Sequence, residues 1–299
     1  MKKSRRQRQR ELRIKIFTVC TGTVLFLLIL YLTGTLWSLV VKGRNCDHKT
    51  ENAAQTSDQL EQMEVFADSE ASLDETEEKD EMEILEEFAK KNGLTLEDYP
   101  ESLIELLGKN SEAKDFVLNY PLKKDQTPTD DVDEIEDLDS IPLLMQWDQR
   151  WGYYEYGDEV LGLTGCGPTC LSMVAMYLLK DTRYTPLYMA KYSARNGYCV
   201  AGSGTSWLLM SEGAENLGLE SVEVPLEESS VISYLERDMP IICIMGAGDF
   251  TDDGHFIVFT EMKDGKLVIN DPNSRINSAK LWEFEDIKNQ IHNMWAYEN

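Results

Sequence analysis

The chain has 299 residues and carries 54 Asp and Glu against 29 Lys and Arg, a formal net charge of −25. Such a surplus repels a phosphate backbone and argues against a nucleic-acid partner. Six Cys without even spacing exclude a small disulfide-stapled scaffold. The length would hold two ordinary domains, but the composition shifts so abruptly that only part of the chain can be compact.

Residues 1–15 carry eight basic side chains against Glu11 alone, and residues 16–41 carry no charge. A bilayer crossing needs about 20 predominantly apolar residues. This stretch therefore predicts a single-pass transmembrane helix. A cleaved signal peptide has an apolar core of about 7–15 residues and a small-residue cleavage site, and Trp37-Ser38-Leu39-Val40-Val41-Lys42 offers no such site. The basic block stays in the cytoplasm by the positive-inside rule, which places everything after Val41 outside the cell. Residues 42–80 are acidic with few aromatics and predict a disordered stalk.

Over residues 81–122 apolar side chains return at helical spacing: Met82, Ile84, Leu85 and Phe88, then Leu103, Ile104, Leu106 and Leu107, then Phe116, Val117 and Leu118. Two or three short helices are expected, with Pro121 ending the last. An element of about 40 residues needs to dock on something to be stable. Residues 123–140 are acidic again and read as a second linker. The compact domain spans residues 141–299. It combines a buried helix over 171–179 with helical signals over 205–217 and 229–237 and strands over 241–245, 255–259 and 267–270. A helix first and antiparallel strands afterwards is an α+β arrangement.

Cys166 lies in Thr164-Gly165-Cys166-Gly167-Pro168-Thr169-Cys170, at the start of that helix. Unpartnered N–H groups and the positive end of the helix dipole favour a thiolate there, and the thiolate is the nucleophile of cysteine chemistry. Cys170, one turn on, reads as a core residue. A nucleophile needs a base and an orienting group. His48 falls in the stalk. His255 opens a strand whose hairpin partner ends at Asn270-Asp271-Pro272. If Lys263, Asp264 and Gly265 form a three-residue loop, Ile257 faces Asp271 and Asp271 shares the face of His255. A two-residue turn shifts the register by one and brings Asn270 there instead. His292 has no such neighbour and is a reserve base. An oxyanion needs a donor, and Gln146 and Gln149 are equal candidates on physical grounds.

Taken together, Gln146-Trp147-Asp148 with Arg150-Trp151, then Gly165-Cys166-Gly167-Pro168-Thr169, Gly254-His255-Phe256 and Asn270-Asp271-Pro272 resemble the papain-like cysteine peptidases of the bacteriocin-leader (double-glycine) peptidase-like family. The resemblance covers residues 141–299. It implies a papain-like α+β fold with Cys166 as nucleophile, His255 as base, Asp271 as orienter and Gln146 as oxyanion donor, without metal or cofactor. The leader peptidases proper are fused to a transporter and cut in the cytoplasm. A single span with an outward-facing domain instead implies an extracellular cysteine peptidase acting on other peptides. The alternatives are an amidase or endopeptidase for peptidoglycan stem peptides and an inert binding module on the same fold. The interval from Gln146 to Cys166 is long for one oxyanion loop and predicts a small excursion that returns Gln146 to the site.

Weaker signals remain. Asp249 to Gly254 has the look of a calcium loop, but Thr260 stands where the twelfth-position Glu is needed. The glycines around Ser203 read as a turn capping the next helix, and Trp207 and Met210 as core. An outward-facing domain allows a Cys199–Cys243 bridge.

Overall fold

A computed structural model describes residues 80–132, 135, 138–202 and 204–299. The basic arm, the expected membrane span and the stalk up to residue 79 lie outside the described residues. Among the described residues no helix is long and apolar enough to cross a membrane.

The first elements are the helices α1 (Glu81–Lys91), α2 (Glu101–Lys109) and α3 (Lys114–Lys123). Each buries one stripe, with Leu85 and Ala89, Leu103 and Leu107, and Phe116, Val117 and Leu118 in a common core. That core is not closed by the helices alone. Met145, Trp147 and Tyr153, from beyond the linker, complete it. Tyr153 stacks on Phe116 at 4.7 Å and donates its hydroxyl to the Phe116 carbonyl at 3.0 Å. Two glycines make room for the Phe116 ring, since a Cβ at Gly152 or Gly162 would lie 2.8 or 2.3 Å from it. Pro121 does not end α3, contrary to expectation. It sits within the last turn, and Lys124 N–H still reaches the Tyr120 carbonyl at 2.9 Å, so the helix closes past the ring.

The acidic stretch after α3 is also not a free spacer over its described residues. Thr129 N–H donates to the Arg150 carbonyl at 2.9 Å, Arg150 Nη1 donates to the Asp131 carbonyl at 2.8 Å, and Thr185 Oγ1 donates to Asp130. Val132 is buried, and Ile135 and Leu138 pack beside it. Three apolar side chains among the acids are enough to pin the segment to the surface beneath.

The rest is an α+β fold. A hairpin of β1 (Glu155–Tyr156) and β2 (Glu159–Val160) leads through α4 (Leu161–Thr164) into α5 (Cys166–Leu179). Residues 167–176 of α5 are all buried, as befits a helix apolar on every side. Then come α6 (Pro186–Arg195), the hairpin of β3 (Cys199–Val200) and β4 (Gly204–Thr205), α7 (Glu212–Asn216), β5 (Glu220–Glu223), α8 (Glu228–Leu235) and β6 (Ile241–Met245). The chain ends with β7 (His255–Lys263), β8 (Lys266–Asn270), α9 (Arg275–Ser278), β9 (Leu281–Trp282), α10 (Phe284–Ile287) and β10 (Ile291–Glu298). Six of the strands form one antiparallel sheet in the order β5-β10-β6-β7-β8-β9. Its central strand β6 is buried on both faces. Ile242 and Ile244 join the α5 core, while Ile241, Cys243 and Met245 join a second core with Val231 and Leu235 of α8. This period-two division fixes β6 in the middle of the sheet.

Phe116→Ala removes the ring that joins the helical element to the domain. It is expected to lower unfolding stability by about 3–5 kcal/mol, read as a shift of the urea midpoint at unchanged m value.

Candidate active site

Cys166 is the first residue of α5, and the flanking glycines of its motif have packing reasons. A Cβ at Gly165 would lie 2.4 Å from the Leu161 carbonyl oxygen, and one at Gly167 would lie 2.7 Å from Thr205. Helix α5 can therefore start against α4 and β4 only with glycine on both sides of the thiol. Thr205 is held in turn by Tyr156, whose hydroxyl lies 2.9 Å from Thr205 Oγ1 and 2.7 Å from Ser193 Oγ.

His255 opens β7, and its Nε2 lies 2.7 Å from Asp271 Oδ1. The ring is 6% exposed and Asp271 is 1% exposed. The register that allows this has an unexpected origin. The turn between β7 and β8 has two residues, Asp264 and Gly265, both at positive φ, with Lys263 opposite Lys266. Taken alone that turn would put Asn270, opposite Phe259, on the face of His255. The register shifts between Phe259 and Glu261, and beyond it Val258 pairs with Asn270. The extra residue of the expected three-residue loop thus lies in the strand, at Thr260, rather than in the turn. Asn270 points elsewhere and donates Nδ2 to the carbonyls of Ile141 and Pro142 at 3.3 and 3.2 Å.

Electrostatics couple the three groups. Burial opposes the Asp271 carboxylate, but the charge and hydrogen bond of His255, Asn277 Nδ2 at 2.9 Å and the Asn273 N–H at 2.8 Å together hold its pKa below the ordinary carboxyl value. Burial likewise opposes an imidazolium at His255, yet Asp271 and Cys166 push that ring up to about 10. Nε2 serves Asp271, which leaves Nδ1 for the thiol. Cys166 is opposed by burial too, and a hydrogen bond and the charge of His255, with the N–H groups of Phe256 and Gly167, bring it below the ordinary cysteine value. The two shifts run in opposite directions, the thiol down and the ring up, and both favour a proton on the ring over one on the sulfur.

Gln146 returns to the same place, as the expected excursion requires. Its N–H donates to the Pro272 carbonyl at 2.8 Å, and its Nε2 donates to the carbonyls of Gly162 at 2.9 Å and Leu163 at 3.2 Å. Its Oε1 is buried without a partner among the described residues. Gln149 lies apart and accepts from Lys123 Nζ at 2.6 Å. Cys166, His255 and Gln146 line one cleft of about 640 Å³. His292 reaches the same cleft, packed against Gly246, but Asp271 is held by His255.

Several walls of the cleft escaped the sequence. Trp207, expected in the core, is 46% exposed and lines the cleft with Val200, whereas Met210 is fully buried as expected. Residues 249–254 form a cleft wall through Phe250, Thr251 and Asp253. The lining contains Asp158, Glu159 and Asp253 and, among the described residues, neither Lys nor Arg. Cys199 and Cys243 are free thiols, not a bridge: Cys243 is buried in β6 beside Met245, and Cys199 neighbours Gly157. Asn277, which holds the second oxygen of Asp271, carried one local signal, the helix-capping Ser274 three residues earlier.

Residues 138–299 match the Peptidase_C39 like family. The chain belongs to that family. No curated protein matches it. Among solved structures it is similar to a double glycine motif protease from an AMS/PCAT transporter in complex with the leader peptide, at 21% identity over 52% of this chain and 89% of that one, with a TM-score of 0.36. It is also similar to the peptidase domain of Streptococcus ComA, a bi-functional ABC transporter involved in quorum sensing, at 21% identity over 49% of this chain and 99% of that one, with a TM-score of 0.36. The matched family region leaves out α1, α2 and α3.

The charge state of the site can be read without a substrate. Cys166 is expected to react with iodoacetamide well below the pH that ordinary thiols need. Asp271→Asn, which removes the charge that stabilises the imidazolium, should slow that reaction at pH 6 about tenfold or more. Both rates are read by peptide mass spectrometry across pH.

Proposed function

We propose that this protein is a cysteine peptidase in which Cys166 attacks the scissile carbonyl, His255 carries the proton and Asp271 orients the ring. The observation that carries this reading is the buried 2.7 Å contact between His255 Nε2 and Asp271 Oδ1, in the cleft that Cys166 lines. The thiolate adds to the carbonyl carbon, the imidazolium protonates the leaving amine, and the neutral ring then takes a proton from the water that hydrolyses the thioester. The oxyanion forms beside the start of α5, where the first helical N–H groups have no intrahelical carbonyl. Gln146 assists there by releasing the longer of its two amide contacts, the 3.2 Å bond to Leu163, for the oxyanion.

The substrate is a peptide outside the cell, and the three carboxylates of the lining favour one with basic side chains. Residues 16–41 anchor the protein in the cell membrane, with residues 1–15 in the cytoplasm. The uncharged stretch behind a basic block supports that placement. If it is correct, a protease added to intact cells removes the C-terminal domain and spares the N-terminal arm. Protection of the domain would reverse the orientation.

Catalysis is tested with a panel of basic, neutral and acidic peptides and with purified cell wall. Cys166→Ala is expected to lower kcat/KM by roughly 10⁴-fold or more while leaving the circular dichroism spectrum unchanged. Wild-type activity should be bell-shaped in pH. It rises as the thiol ionises and is lost as His255 gives up its proton near the value of about 10. Release of wall fragments without peptide hydrolysis would assign the site to the stem peptides instead. Hydrolysis unchanged in Cys166→Ala would overturn the assignment.

A further inference from the structure

We propose that the helical element ahead of the family region is part of the catalytic apparatus, with Glu112 a positioning residue that fixes Asp271 and, through it, His255. This rests on the Cys166–His255–Asp271 reading and extends it to residues outside the matched region 138–299.

The segment after Asp271 is a single turn of helix, α9, and one turn does not hold itself together in water. Its side chains nevertheless do the holding of Asp271. Asn277 Nδ2 donates to Asp271 Oδ2 at 2.9 Å, and Ser278 Oγ accepts the Asp271 N–H at 2.9 Å. Something must therefore keep α9 wound, and the structure shows what it is. The Glu112 carboxylate accepts from Ser274 Oγ at 2.7 Å, Arg275 N–H at 2.9 Å and Ile276 N–H at 3.2 Å. These last two are first-turn N–H groups that no intrahelical carbonyl can satisfy. One residue from the helical element thus ties down three groups at the head of α9.

The same corner makes a second hold. Asn110 Nδ2 donates to the Asn273 carbonyl at 2.7 Å, and Asn110 Oδ1 accepts the Glu112 N–H at 3.0 Å, so the corner is shaped before it docks. Asn273 in turn donates its N–H to Asp271 Oδ1 at 2.8 Å. Both carboxylate oxygens of Asp271 are thus oriented by residues whose own placement is set from 110–112. The Lys109–Asp252 pair adds little: it lies at 3.1 Å, but its partners are 65% and 85% exposed, where ion pairs are weak. Leu106 of α2 also lines the cleft, so the element reaches the substrate side as well.

The experiment uses the full chain and follows alkylation of Cys166 by iodoacetamide against pH, read on the Cys166 peptide by mass spectrometry, with thermal unfolding alongside. Without Glu112, α9 frays, Asp271 loses its orientation, the imidazolium is less stabilised and the thiol holds its proton to higher pH. Glu112→Ala should therefore react about tenfold more slowly than wild type at pH 6 and at the same rate near pH 10, where the thiol is ionised in either protein. Glu112→Gln keeps an accepting oxygen and should fall between the two, which also carries the test if the Ala variant does not fold. A wild-type profile shifted to low pH that neither variant moves, or an equal slowing at every pH, overturns the positioning role alone. A wild-type profile like that of a free thiol overturns the triad reading, and the positioning role with it.

Discussion

The buried contact between His255 and Asp271 is the constraint around which the rest is arranged. Taking a carboxylate out of water costs several kcal/mol unless its lone pairs are occupied. At 1% exposure Asp271 has no water to fall back on. It is met by His255, Asn277 and the Asn273 N–H. Each of those partners needs its own support, and the chain supplies it from far away: β7 fixes the ring, α9 carries Asn277, and Trp147 Nε1 and Asn110 Nδ2 both donate to the Asn273 carbonyl. The polarity of the thiol follows from this pair. The raised imidazole beside Cys166 lowers the thiol against the burial that opposes it. Cys170 shows the opposite case: one turn on in the same helix and fully buried, its pKa is pushed well up by burial.

The parts of the site legible in the sequence are those with local causes. A Cys between two glycines ahead of an apolar run gives a helix start, and residues 255–259 give a strand by composition alone. The pairing of His255 with Asp271 rather than Asn270 was accessible only as a pair of alternatives, because register depends on where an extra residue is accommodated. A two-residue Asp264-Gly265 turn and a strand irregularity at Thr260 leave the same register beside the site as a three-residue loop would. Nothing in Thr260 itself announces a bulge. Glu112 and Trp207 were illegible for a stronger reason. Their roles exist only after residues distant in the chain, 162 or more positions away for Glu112, have been brought beside them, and an acid in a polar stretch or a Trp after a glycine-rich turn looks the same in either role.

The helical element shows how far the structural unit extends beyond the family match. Its three short helices bury single stripes, too little apolar surface for an element of about 40 residues to stand alone. Met145, Trp147 and Tyr153 supply the missing wall. Those three residues flank Gln146 and the turn that follows it, so the packing that stabilises the helices also immobilises the backbone next to the site. Gly152 and Gly162 record this coupling. Both are glycine because the Phe116 ring occupies the space a Cβ would take.

Gln146 is where these supports converge. Its main chain is tied to Pro272, directly after Asp271, and its side chain to Gly162 and Leu163, shortly before Cys166. One residue thus sets the distance between the loop that carries the acid and the turn that carries the thiol. This explains how the interval from Gln146 to Cys166 can hold a hairpin and a helical turn without loosening the site. The hairpin of β1 and β2 leaves and re-enters beside the same amide, and Leu161 N–H closes it onto the Tyr154 carbonyl at 2.8 Å. Among the described residues Oε1 has no protein partner. The amide cannot be turned over, because Oε1 would then face two carbonyl oxygens. The side chain is therefore held with its N–H groups toward the residues just before Cys166.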